Sequence, residues 1–155
     1  MADEVWIATA LLHREHPDRE DFTIHEIVER VASENIAGGM RPGVVVHAYL
    51  HCTANKEPSP TGYRMLYATG PNTRGLLRPT DQAHPLRKGK ITPRRDQIPA
   101  RYQELLDWYE REYAKSSSGR RGPLDAVLAL RGLGAEIWQD VDPDEYVRRL
   151  REGWD

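Results

Sequence analysis

The side chains that could do chemistry fall in three places. His47 and His51 stand four residues apart with Cys52 beside them, a spacing that puts both imidazoles on one face of a helix, while His13, His16 and His25 lie elsewhere. A structural or catalytic zinc needs three or four converging ligands, and neither a CxxC nor an HExxH frame occurs, so no metal is expected. There is no glycine-rich phosphate loop, nucleophile elbow or acid/base pair with motif context. The sequence therefore predicts a non-catalytic protein without a cofactor. The second place is a basic, proline-containing run holding Arg87, Lys88, Lys90, Arg94 and Arg95. It is read as an extended arm able to lie along a phosphate backbone, or to serve as a solvated linker. The third is residues 123–155. Leu124, Val127, Leu128 and Leu130, then Ile137-Trp138, then Tyr146, Val147, Leu150 and Trp154 form apolar patches, each too small to bury itself. Such patches imply a larger partner surface.

Composition says what must position these groups. The chain has 155 residues, 39% hydrophobic and 30% charged, against a usual ~45–50% and about 25%. It is too polar to form one compact domain from end to end. A single cysteine excludes an intrachain disulfide. No apolar run is long enough to span a membrane, and the opening Met1-Ala2-Asp3-Glu4 is acidic where a signal peptide is basic, so a soluble, cytoplasmic protein without membrane contact is expected. The net charge of -2 averages three unlike segments: residues 1–81 carry -3, residues 82–122 carry +5 and residues 123–155 carry -4. That asymmetry suggests modules with different partners.

Residues 1–81 read as three helices and a hairpin. Val5, Trp6, Ile7, Ala8, Leu11 and Leu12 predict a first helix over 3–15, closed by Pro17. Thr23 to Glu26 has capping-box spacing, with Phe22 and Ile27 as a hydrophobic staple; Ile24, Ile27, Val28 and Val31 continue as a stripe that Asn35 and Gly38-Gly39 end. Arg41-Pro42 opens a third element, helical by the shared face of Val44, His47, Ala48 and Cys52 although Val44-Val45-Val46 has strand propensity. Residues 63–68 predict a strand, Gly70 to Gly75 a turn, and Leu76-Leu77-Arg78 the return strand. The expected class is α+β: an N-terminal winged helix (1–81), a basic arm (82–99), a connecting amphipathic helix (100–114), a flexible linker (115–122) and an extended tail with short helices (123–155). In a winged helix the third helix faces the major groove and the hairpin tip reaches phosphate or a minor groove. The candidate DNA contacts are Arg41, Tyr49, Thr53, Asn55, Lys56, Arg64 and Arg74, with Arg87, Lys88, Lys90, Arg94 and Arg95 from the arm; Asn72 and Thr73 accompany Arg74 on the wing. The fold also serves protein binding. The aromatic face of 100–114 suits core packing or a homodimer interface better than base stacking.

Two resemblances extend this reading. Residues 3–81 resemble an uncharacterised bacterial winged-helix family through Phe22-Thr23-Ile24, Ile27, the His47 and Cys52 spacing and Asn55. Residues 129–154, running from Ala129-Leu130-Arg131-Gly132 through Glu136-Ile137-Trp138 and Tyr146-Val147-Arg148-Arg149-Leu150-Arg151 to Gly153-Trp154, resemble the toxin-binding tail of antitoxins paired with PIN-domain ribonuclease toxins. That family commonly carries Ser where Leu133 stands and Lys where Ala135 stands. The resemblance implies that Arg148, Arg149 and Arg151 enter the toxin's carboxylate-lined, metal-holding pocket, and that Trp138, Tyr146, Leu150 and Trp154, with Leu130 and Ile137, anchor the peptide. It implies inhibition of a PIN-domain toxin by occlusion and repression of operator DNA by the N-terminal module, although most relatives use a ribbon or swapped-hairpin DNA module. The alternative is a winged-helix transcription regulator whose tail packs in cis or dimerises the protein.

Overall fold

The computed structural model describes residues 1–116, which lie within the first of two units, Met1–Arg120 and Arg121–Asp155. The candidate toxin-binding residues Leu130, Ile137, Trp138, Tyr146, Arg148, Arg149, Leu150, Arg151 and Trp154 lie outside the described residues. The described part is α+β, with helices around a small three-stranded antiparallel sheet. Among the described residues no helix is long and apolar enough to cross a membrane.

Helix α1 (Ala2–Glu15) is the centre of the core rather than an amphipathic cover. Val5, Trp6, Ile7, Ala8 and Ala10 are all buried, and so are Thr9 and His13. Thr9 is satisfied within the helix, its Oγ1 donating to the Val5 carbonyl at 2.8 Å, and His13 from outside it, its Nε2 accepting the Leu76 N–H at 3.3 Å. Strand β1 (Phe22–Thr23) follows, and helix α2 (Ile24–Glu34) starts directly from it. The capping box read from the sequence is present: the Glu26 N–H donates to Thr23 Oγ1 at 3.1 Å, and the Thr23 N–H donates to Glu26 Oε2 at 2.8 Å. Asn35 ends α2 in the left-handed region at φ 49°.

Glu26 also receives both arms of the Arg19 guanidinium, at 2.7 and 3.0 Å. That pairing, with the Thr23 contacts, holds its carboxyl down at about 2. A carboxyl depressed in the folded state stabilises above its ordinary value of 4.5 and loses that contribution as pH falls through about 2. Glu26→Gln is therefore expected to melt lower than the wild type at neutral pH. The difference should close only as the pH approaches about 2, in melting curves recorded across the acid range.

Helix α3 (Gly43–Val46) runs without interruption into a π-helical turn, His47–His51. The third element is thus helical, its β-branched residues notwithstanding, and it ends earlier than the expected Ala54. Strands β2 (Leu66–Ala68) and β3 (Thr73–Leu76) form the hairpin, and β1 adds to the far side of β3 to give the order β1-β3-β2. The register differs from expectation. Thr73, Arg74 and Gly75 belong to the return strand, Arg74 opposing Ala68 on one side and Phe22 on the other, and the turn is confined to residues 69–72. Turn chemistry in Thr73-Arg74-Gly75 yielded to strand pairing on both edges.

The boundary expected at residue 81 is not a boundary in the core. Residues 82–99, expected as an extended arm, are laced to the domain: the His84 N–H donates to the Ala54 carbonyl, the Gly89 N–H to Gly62 and the Arg64 N–H to Lys90. A Cβ on Gly89 would lie 2.5 Å from the Gly62 carbonyl oxygen, so only glycine permits this crossing. After 3₁₀ turns at Arg95–Gln97 and Ala100–Tyr102, helix α4 (Gln103–Trp108) and a second π-helical turn (Tyr109–Tyr113) return to the core. Tyr102, Leu105, Leu106, Tyr109 and Tyr113 are buried there, with Tyr109 edge-on to Trp6 at 5.8 Å. Tyr113 donates to the Leu76 carbonyl at 3.0 Å and Tyr109 to that of Leu77. The aromatic face of this segment packs inside its own domain.

Candidate nucleic-acid and protein-binding surface

The C-terminal end of a helix leaves carbonyls without partners, and the π-helical turn after α3 ends among buried side chains where water cannot serve them all. Two arginines do so. Arg87, 2% exposed, donates from Nε to the Lys56 carbonyl, from Nη1 to His51 and Tyr63, and from Nη2 to Leu50 and Glu57, all between 2.7 and 2.9 Å. Arg74, wholly buried, donates from Nη2 to the Tyr49 carbonyl, from Nη1 to the carbonyls of Gly70 and Thr73, and from Nε to Thr53 Oγ1. Burial pulls both guanidinium pKa values down from their ordinary level, yet the carbonyl oxygens and the negative end of the helix dipole accommodate the charge. Both were expected to reach phosphate. Their donors are instead spent on backbone carbonyls, because a loop-rich segment offers many unpaired carbonyls and a planar fork meets several at once.

The remaining candidates divide between fold and surface. Thr53 is buried, its hydroxyl donating to the Tyr49 carbonyl and accepting from Arg74. Asn55 clamps β2, its Nδ2 donating to the Ala68 carbonyl at 2.9 Å and its Oδ1 accepting the Ala68 N–H at 2.8 Å. Asn55→Ala leaves both groups of Ala68 without this partner and should cost about 1–2 kcal/mol, measurable in urea unfolding. Arg64 donates to the Gly89 carbonyl. Lys56 lies over the Tyr49 ring at 3.9 Å. Arg41 pairs with Glu4, Lys90 with Asp3, Arg94 with Asp96 and Arg95 with Asp107. Arg41, Tyr49, Lys88, Arg94 and Arg95 are the candidates left exposed. Arg94 and Arg95 are on the surface through an exposed 3₁₀ turn, not on a free arm.

The outward face of α3 is apolar where a base-reading helix would carry donors and acceptors: Val45, Val46 and Tyr49 are each nearly half exposed, and Met40 precedes them. His47 and His51 stack at 4.9 Å with 21° between planes. His51 Nδ1 meets the hydroxyls of Ser59 and Thr61, both at 3.1 Å, which latches the following loop. Burial, then the neighbouring His47 and Arg87, lower the His51 pKa and favour the neutral ring. Cys52 is buried beneath, its thiol pushed up to about 12 by desolvation. Among the described residues no three His, Cys, Asp or Glu side chains converge in a way that could hold a metal ion.

No family model, curated protein or solved structure matches this chain. The described surface carries both apolar side chains, Val45, Val46 and Tyr49, and cations, Arg41, Lys88, Arg94 and Arg95. The carbonyl-capping roles of Arg74 and Arg87 went unread in the sequence, where a structural arginine and a phosphate-binding one look alike.

Proposed function

We propose that this chain is an antitoxin: residues 123–155 bind and block a PIN-domain ribonuclease toxin, and residues 1–116 form a winged-helix body that carries them. The observation that carries the reading is the sequence of the tail, where Trp138, Tyr146, Leu150 and Trp154 accompany Arg148, Arg149 and Arg151. A ribonuclease that holds metal ions in a carboxylate pocket is open to occlusion by arginines anchored on aromatic side chains. Two features of the body support its part. Strand β1 sits between α1 and α2 and pairs with β3 in the order β1-β3-β2, and the α2–α3 pair leads into the β2–β3 hairpin, an order that supports the winged-helix reading. The core of the described residues draws its large side chains from Trp6 to Tyr113, so the body has an apolar interior of its own.

Repression of operator DNA is the lesser part of the proposal. Residues 1–116 carry as many acidic as basic side chains, and of the exposed candidate cations Arg41, Arg94 and Arg95 are ion-paired. The full chain alone is expected to shift promoter DNA weakly at 50 mM salt and to lose the shift by 200 mM. The toxin role is tested by growth. Co-expression with a neighbouring PIN-domain toxin should rescue cells, and deletion of residues 123–155 should abolish rescue. Rescue by the truncated chain would sink the assignment.

The apolar outward face of α3 favours a second reading, a homodimeric regulator in which Val45, Val46 and Tyr49 meet a second copy. Sedimentation of a dimer that Val46→Lys converts to monomer would support it; a monomer at high concentration would dismiss it.

A further inference from the structure

Two imidazoles meet on the π-helical turn after α3. The rings of His47 and His51, both half-buried, lie 4.9 Å apart with 21° between planes. A carbonyl can only accept, so the 2.8 Å contact of His47 Nδ1 with the Gly43 carbonyl puts the proton of the neutral ring on Nδ1 and the lone pair on Nε2. Thr61 Oγ1 donates to the His51 carbonyl at 3.5 Å, which leaves its oxygen to accept from His51 Nδ1 at 3.1 Å. Ser59 Oγ lies at the same distance from that nitrogen. The lone pair of His51 is therefore on Nε2 as well. Neither Nε2 has a hydrogen-bond partner among the described residues, and the buried unpartnered side-chain atoms there are Trp6 Nε1 and Arg78 Nε, so both Nε2 atoms reach solvent.

Two solvent-facing lone pairs on adjacent rings call for an electron-pair acceptor. A ligand imidazole in a metal site has this same arrangement: its other nitrogen donates to a carbonyl or similar oxygen, which fixes the tautomer and the orientation of the ring. The His51 ring is also kept in the neutral form that bonds an ion, since burial, then His47 and Arg87, lower its pKa. The kind of ion follows from the surroundings. Among the described residues no carboxylate is bonded to either ring, and the Arg87 guanidinium, 2.9 Å from the His51 carbonyl, adds positive charge nearby. Mg²⁺ and Ca²⁺, which need oxygen ligands, gain nothing here, whereas imidazole nitrogen suits Cu²⁺, Ni²⁺ and Zn²⁺.

We infer that His47 and His51 form a two-imidazole site for a divalent transition-metal ion, independently of the antitoxin reading. Both Nε2 atoms bond the ion, the ring edges tilting toward each other to reach metal–nitrogen distances of about 2.0–2.1 Å, and water fills the remaining positions. The missing third protein ligand speaks against a structural zinc but not against this open site, whose affinity rises in the order Zn²⁺ to Cu²⁺.

The test is titration calorimetry of the full chain at neutral pH, in a buffer that does not coordinate metals, with CuCl₂, ZnCl₂ and MgCl₂. Copper should fill one strong site per chain, zinc should bind it more weakly, and magnesium should not bind. His47→Gln and His51→Gln should each lower copper affinity about tenfold or more. His25→Gln, which alters an exposed histidine paired with Glu29, should leave it unchanged. Electron spin echo spectra of the copper-loaded wild type should show two imidazole ligands, a readout that stands even if a variant does not fold. Absence of a strong copper site, zinc binding tighter than copper, magnesium binding as tightly as copper, affinity unmoved by both His47→Gln and His51→Gln or lowered equally by His25→Gln, or a spectrum with fewer than two imidazoles would each overturn the proposal.

Discussion

Arg87→Met should lower the melting temperature of this protein by about 10–20 °C, corresponding to roughly 3–5 kcal/mol. Methionine keeps much of the length and apolar stem of arginine but none of its donors. Five carbonyls then lose the arginine donor at once: Leu50 and His51 at the end of the π-helical turn, which keep only longer contacts from Thr53 and Thr61, and Lys56, Glu57 and Tyr63 in the loop beyond. With the guanidinium 2% exposed, water does not already share these acceptors with it, so little compensation is available without local opening. Arg87→Lys should recover less than half of the loss. A lysine is a point charge with three donors on a flexible stem and cannot reach carbonyls arrayed around a planar fork. Thermal melts of the three proteins check this. A shift of only a few degrees for Arg87→Met would mean that the loop re-pairs its carbonyls without the arginine.

The second large effect concerns binding. Trp138→Ala and Trp154→Ala should each weaken the complex with the PIN-domain partner by about 30-fold, on the order of 2 kcal/mol, and leave the melting temperature of residues 1–116 unchanged. The two readouts separate an anchor from a structural tryptophan. The core of the described residues is built around Trp6, Phe22, Tyr102, Tyr109 and Tyr113. An anchor that meets toxin contributes to affinity alone. A fall in melting temperature without a change in affinity would instead put these side chains in the folding of the chain itself.

The local signals were legible because their chemistry is local. The Thr23 to Glu26 capping box and the left-handed Asn35 follow from side chains reaching their own backbone within a turn, and Pro17 stops α1 by its ring and missing N–H. In the sequence Phe22 reads as a staple with Ile27 and Thr23 as a helix cap, not as a strand, since two residues carry no alternation. Only pairing with Thr73 and Arg74 defines β1. The same pairing moved the hairpin turn, because which residues face each other is set across strands. The basic run misled for a different reason. A proline-rich cationic segment has the composition of a linker, and nothing within it announces that Arg87 will meet carbonyls 24 to 37 residues back. The helical spacing of Tyr102, Leu105, Tyr109 and Tyr113 foreshadows their burial, but the choice between a private core and a dimer face depends on the opposing surface supplied by α1.

The central claim is that inhibition resides in the tail and not in the body. The most direct measurement is RNA cleavage by a purified PIN-domain ribonuclease, the proposed partner, titrated with the full chain and separately with residues 1–122. The account predicts that cleavage stops near one equivalent of the full chain and continues undiminished with residues 1–122 in excess. Equal inhibition by residues 1–122, or unimpeded cleavage in the presence of excess full chain, would contradict it.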